Sequence, residues 1–199
     1  MSALQFWYEF ASTYSYPAAM RIEEAAARQG IDVSWQPFLL GPIFNALGWN
    51  TSPFNLQPEK GRYMWRDLER ICAAMDLPPM RKPTPFPQNS LKAARVALCL
   101  EDGEPRTRFS QAVYGAQFAW LLPIDDGKVL ADILNRQGLS ADAILARSVE
   151  PETKQALRSQ VAKARHLGIF GAPSFITSDG EVFWGNDRLE DAVRWQAGL

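Results

Sequence analysis

The segment Ser12-Thr13-Tyr14-Ser15 stands between an aromatic run and a helical pattern, where a redox protein of the same layout would carry two cysteines. A turn leading into a helix leaves unpaired backbone amides, and the helix dipole adds roughly half a positive charge there. Anions are favoured at that point, which is why thiolates at helix N-termini have depressed pKa values. This chain brings no thiol to the position. A serine hydroxyl there could donate its hydrogen to a thiolate carried by another molecule, a charge-assisted contact stronger than a neutral one. Ser12 or Ser15 could instead cap the helix, a contribution of about 1 kcal/mol.

Two later segments bear on that choice. Gly171-Ala172-Pro173-Ser174-Phe175 leads into a strand through a proline, which removes a ladder donor and suits a cis peptide. Ala172 would then offer backbone groups to a ligand that pairs along the edge, although a plain turn proline fits the same residues. Trp184-Gly185-Asn186-Asp187-Arg188 falls at the start of the last helical pattern. Asn186 or Asp187 could cap that helix, its amides could hold a carboxylate, and Asp187 could face a ligand ammonium. Trp184 reads as core by its bulk. Lys60, in Glu59-Lys60-Gly61-Arg62, is either a solvated charge or a partner for a ligand carboxylate. Cys72 and Cys99 lie on separate helical patterns without metal-ligand or CxxC spacing and read as small core residues. The single histidine, His166, precedes Gly168 at a helix end, which excludes sites needing several imidazoles.

The elements that must position these groups follow from hydrophobic period. Leu4 to Phe10 is aromatic and suits a strand, Pro17 to Gln29 has helical spacing closed by Gly30, and Ile31 to Phe38 alternates like a second strand. Such a connection is normally a right-handed crossover between parallel strands. Leu39 to Pro58, rich in Gly, Pro, Asn and Trp, is long for a loop and is a lid candidate. Helical patterns then cover Glu59–Met75, Ser90–Glu101, Arg106–Trp120 and Gly127–Gln137, another starts at Ser140 and Ala141, and a further one runs from Pro151 to about Leu167. PSFITSDGEVFWG reads as a hairpin about Asp179-Gly180, and Arg188 to Gln196 as a final helix. The order is that of an α/β thioredoxin-like domain, with a helical insertion between its βαβ and ββα halves. The expected division is residues 1–38 and 156–199 for the thioredoxin-like domain and 39–155 for the insertion.

With 199 residues, 47% of them hydrophobic, the chain can bury a sizeable core. Net charge is −1 with no block of like charges, so nothing supplies the positive field that nucleic acid requires. The sequence shows no secretion signal and no run of membrane-spanning length, and a cytoplasmic location is expected.

Phe6-Trp7-Tyr8-Glu9-Phe10-Ala11-Ser12-Thr13-Tyr14-Ser15-Tyr16, Glu59-Lys60-Gly61-Arg62-Tyr63, Phe170-Gly171-Ala172-Pro173 and Trp184-Gly185-Asn186-Asp187-Arg188 occur in order across nearly the whole chain. In these motifs the sequence resembles the 2-hydroxychromene-2-carboxylate isomerases and the related kappa-class glutathione transferases, which share a DsbA-like thioredoxin fold. The resemblance implies that Ser12 contacts the sulfur of glutathione and that Ala172 and cis-Pro173 hold its cysteinyl backbone. It further implies that Asn186 and Asp187 bind the γ-glutamyl end, and that Lys60 and, across a one-residue gap, Asn50 contact the rest of the tripeptide or the substrate. Two positions depart from the family pattern: Thr13 replaces a proline and Glu9 an aspartate. The implied reaction is addition of the glutathione thiol to an unsaturated aromatic acid, rotation about the resulting single bond, and expulsion of the thiol. The implied partners are glutathione and a small aromatic electrophile, with a homodimer expected at family level. The same site could serve a glutathione transferase or peroxidase, and the same fold a non-catalytic peptide-binding module. Disulfide exchange is disfavoured because neither Ser12 nor Ser15 can enter a mixed disulfide.

Overall fold

The structure, a computed structural model, describes residues 3–199. Strand β1 (Leu4–Tyr8) leads through a tight turn into helix α1 (Ser15–Ala27), and β2 (Val33–Pro37) follows. Eight helices come next: α2 (Gly41–Ala46), α3 (Pro53–Leu56), α4 (Pro58–Ala74), α5 (Leu91–Cys99), α6 (Glu104–Phe118), α7 (Gly127–Arg136), α8 (Ala141–Ser148) and α9 (Pro151–His166). The chain closes with β3 (Ser174–Ile176), β4 (Val182–Trp184), a short 3-10 turn and α10 (Leu189–Gln196). The sheet order is β2-β1-β3-β4. β1 runs parallel to β2 and antiparallel to β3, and β3 pairs antiparallel with β4. This is the α/β thioredoxin-like order expected from the sequence.

The aromatic run in β1 is explained by its place as a central strand covered on both faces. Leu4, Phe6 and Tyr8 point into the main core with α1, α6 and α10, while Trp7 points to the opposite face with Phe38, Ile43, Ala164 and Ile176. Phe6 sits at the middle of the sheet, edge-on to Trp35 at 4.8 Å and stacked on Phe175 at 5.6 Å. Each such fully buried ring contributes roughly 2–3 kcal/mol by its withdrawal from water.

The insertion is welded to the sheet at the otherwise open edge of β2. Asp102 accepts the Trp35 amide at 2.9 Å and pairs with Arg106 at 3.3 Å. Arg106 in turn donates to the carbonyls of Trp35, Ala97 and Leu100. Pairing an edge strand with side chains in this way removes a template for wrong association. The turn after β1 is held from α6, where Tyr114 donates to the Glu9 carbonyl at 2.9 Å and Gln117 to the Phe10 carbonyl at 2.7 Å.

Three local readings change. The 39–58 stretch is not one loop but carries α2 and α3, each with a proline in its first turn. Helix α1 starts at Ser15, two residues before its expected start, and neither Ser12 nor Ser15 caps it: Tyr14 occupies the cap position and its side chain makes no capping bond. The 3-10 turn at Asn186–Arg188 and α10 after it also lack a side-chain cap. Cys72 and Cys99 are buried, as expected, and burial pushes the Cys72 thiol up to about 11.

Candidate active site

Ser12 lies just before α1, half-buried, and its hydroxyl donates to the Ala172 carbonyl at 2.8 Å. The contact joins residues 160 positions apart and brings the mouth of α1 against the loop that enters β3. The Ala172–Pro173 peptide is cis, and the Pro173 carbonyl is taken by the Gly185 amide at 3.0 Å. The Ala172 N–H donates to no group among the described residues. Backbone amides are seldom left without a partner unless solvent or a ligand meets them. Thr13 also lines the cavity, and its hydroxyl donates to the Met64 sulfur at 3.0 Å, which ties the turn to α4.

Ser12 and Ala172 line one cavity of ≈ 740 Å³ that opens between the sheet and the helical insertion. Asn50 and Lys60 line it as well. Its walls carry several aromatic rings: Trp49 against Phe44, Phe54 against Tyr14, Phe170 against Trp184, and Phe86, which Trp65 backs from outside the lining. A pocket of this size with apolar walls and a few polar groups suits a small organic ligand, and ring faces suit a planar one. Trp184 is not the core residue its bulk suggested. It is 52% exposed and covers Gly171, where any side chain would collide with the indole.

Among the described lining residues, the charged ones are Lys60 and Glu9. The Lys60 ammonium is exposed and has no carboxylate partner among the described residues, since the neighbouring Glu59 pairs with Arg62. Glu9 is buried in the cavity wall beside Ser12, and burial raises its carboxyl to about 7 against the opposing effect of the Ser90 hydroxyl and the Ala11 and Ser12 amides. Tyr14 donates to Asp67 at 3.0 Å. Burial, that bond and the nearby negative charges of Asp67 and Asp187 hold its phenol well above the usual range, so it stays protonated.

Three residues expected at the site, Pro173, Asn186 and Asp187, stand outside the lining. Asn186 is buried, and its side-chain oxygen accepts from Arg21 of α1 at 3.2 Å. Asp187 is exposed at the rim, folded back over Gly185, within electrostatic reach of Tyr14. Of the residues the sequence did not mark as functional, Glu9, Ser90, Tyr63 and the aromatic wall are the main additions. The signals available for Glu9 were a lone acid inside an aromatic run and its place where the resembling family has an aspartate.

The fold and the site together define a thioredoxin-type protein whose helix mouth presents a hydroxyl in place of a redox thiol. A family model for the DSBA-like thioredoxin domain matches residues 3–194. The chain is 30% identical to a 2-hydroxychromene-2-carboxylate isomerase of Sphingobium xenophagum over 94% of both chains. In three dimensions it is similar to a solved 2-hydroxychromene-2-carboxylate isomerase, with a TM-score of 0.84 and 24% identity, covering 100% of this chain and 99% of that one. It also shares its fold with the cytosolic disulfide reductase DsbM from Pseudomonas aeruginosa, solved with GSH, at a TM-score of 0.62 and 19% identity over 100% of this chain and 97% of that one. The chain belongs to the DsbA-like thioredoxin family and, within it, to the 2-hydroxychromene-2-carboxylate isomerases, a family of enzymes.

Proposed function

We propose that the protein is a glutathione-dependent isomerase that interconverts 2-hydroxychromene-2-carboxylate and trans-o-hydroxybenzylidenepyruvate. The observation that carries this reading is the Ser12 hydroxyl, set at the mouth of α1 against the carbonyl preceding cis-Pro173 and open to an aromatic-walled cavity. Glutathione fits the residues present, because the unpartnered Ala172 N–H can pair with its cysteinyl backbone and place the sulfur next to Ser12. When bound, it supplies a nucleophilic sulfur that turns the substrate double bond into a rotatable single bond. Ser12 gives up its bond to Ala172 and donates to the sulfur, while the start of α1 adds its positive end. Lys60, without a carboxylate of its own, attracts a carboxylate of the tripeptide or the substrate. Asn50 contributes from the same wall, and Asp187 faces the γ-glutamyl ammonium from the rim. Asn186 supports that end through Arg21 and not from the lining. The two unpaired buried cysteines suit a reducing compartment, in keeping with a cytoplasmic enzyme.

Following the isomerisation by absorbance, with and without glutathione, tests the reading. The wild type is expected to be active only when glutathione is present. Ser12→Ala is expected to lower kcat by about 100-fold, the usual cost of one donor to a reacting anion. Full activity without glutathione would refute the reading.

A further inference from the structure

Beside Ser12 the cavity wall holds a second ionisable group. Glu9 follows β1, three residues before Ser12, and its side chain is withdrawn from solvent yet forms part of the wall. Its carboxyl accepts from the Ser90 hydroxyl, ahead of α5, and is stabilised by the amides of Ala11 and Ser12. The other groups that face it are neutral. Tyr114 of α6 donates to its carbonyl, and Tyr8 of β1 is bonded to Ser110. Lys60 is the cation in the same cavity and does not pair with it. A carboxylate here and a thiolate on Ser12 would be two anions in one poorly solvated corner, an arrangement that is costly unless one of them holds a proton.

We propose that Glu9 accepts the proton that the bound thiol gives up at Ser12, so that carboxyl and sulfur hold one negative charge between them. The S–H bond breaks, its electron pair stays on sulfur, and an O–H bond forms on the carboxyl oxygen that Ser90 leaves free. On release the proton returns by the same route, and no other reactant is needed. A carboxyl titrating at about 7 is matched to this exchange near neutral pH. The assignment rests on glutathione being the thiol.

Calorimetric titration of glutathione into the full chain, in buffers of different ionisation enthalpy, counts protons released on binding, and thiolate absorbance counts the sulfur ionised. At about pH 8, where Glu9 begins ionised, the wild type is expected to release close to no protons per thiolate formed. Glu9→Gln is expected to release about one, and Glu9→Asp to restore retention. At about pH 6, where Glu9 begins protonated, wild type and Glu9→Gln are expected to release alike. Release of about one proton per thiolate by the wild type at the higher pH, or equal retention by Glu9→Gln, overturns the assignment and leaves glutathione binding standing. No binding by the wild type overturns both. If Glu9→Gln does not fold, Ser90→Ala carries the test. Loss of that donor is expected to raise the pH above which the proton is retained, and an unmoved profile overturns the assignment.

Discussion

Ser12 and Glu9 sit three residues apart in one turn, and burial separates them: Glu9 is enclosed and Ser12 is half-buried. The serine was legible because a hydroxyl between a strand and a helix, in the place of a redox cysteine, has few chemical uses. Ala172, Asn50 and Lys60 were legible through the same family pattern, and the structure brings all three to one cavity with Ser12. Glu9 was not, since a single acid in Trp7-Tyr8-Glu9-Phe10 is equally a solvent-facing strand residue, and only the packing of α6 and the segment before α5 shows it enclosed. Enclosure has a consequence for stability. The carboxyl titrates at about 7 in the folded protein against an ordinary value of 4.5 in an unfolded chain. The native state therefore binds the extra proton between those values, and this contribution, fully present below about pH 4, is lost as the pH rises through about 7, by roughly 3 kcal/mol. Urea denaturation at about pH 5 and pH 8 is expected to show that decline in the wild type and a flatter dependence in Glu9→Gln. The same decline in both would contradict the assignment of the shift to Glu9.

At the scale of elements, the strands, the long helices and the Asp179-Gly180 hairpin were readable from period and turn chemistry. The segment from 39 to 58 was not, because helices of six and four residues are too short to show a period. This segment supplies Phe44, Trp49 and Phe54 to the cavity lining, so the missed elements also shape part of the aromatic wall. Gly61 sets the seam between α3 and α4: a Cβ there would fall inside contact distance of the Phe54 carbonyl. Gly61→Ala is expected to push α3 away from α4, to cost about 1–3 kcal/mol as overpacking does, and to raise KM for the aromatic substrate more than it lowers kcat. Thermal melting and steady-state kinetics check this, and an unchanged Tm with unchanged KM would show that the seam does not matter. The helix caps were misread for a related reason. Ser12 is drawn to a carbonyl far along the chain, and Asn186 to Arg21, so tertiary partners replaced the local ones that the sequence pattern suggests.

At the scale of the whole molecule, the site exists because the two halves of the thioredoxin-like domain close on each other and the insertion roofs the gap. Sequence order disclosed that topology, but not which faces of the inserted helices look into the cleft, since both faces of α4 carry residues fit for a core or a surface. The structure places Lys60, Tyr63 and Met64 of that helix on the cavity and buries Leu68 and Cys72 beyond it. The sheet edge is sealed by Asp102 and Arg106, which leaves the cleft around Ser12 as the opening between sheet and insertion that joins the helix mouth to the loop before β3. The central claim is that this opening ionises a visiting thiol through the Ser12 hydroxyl. The direct measurement is the ultraviolet thiolate absorbance of bound glutathione, titrated against pH in wild type and Ser12→Ala. The wild type is expected to ionise the bound thiol below its free value, and the alanine variant to titrate about one to two pH units higher, the equivalent of losing one hydrogen bond to a charged group. Identical titrations in the two proteins would contradict the claim.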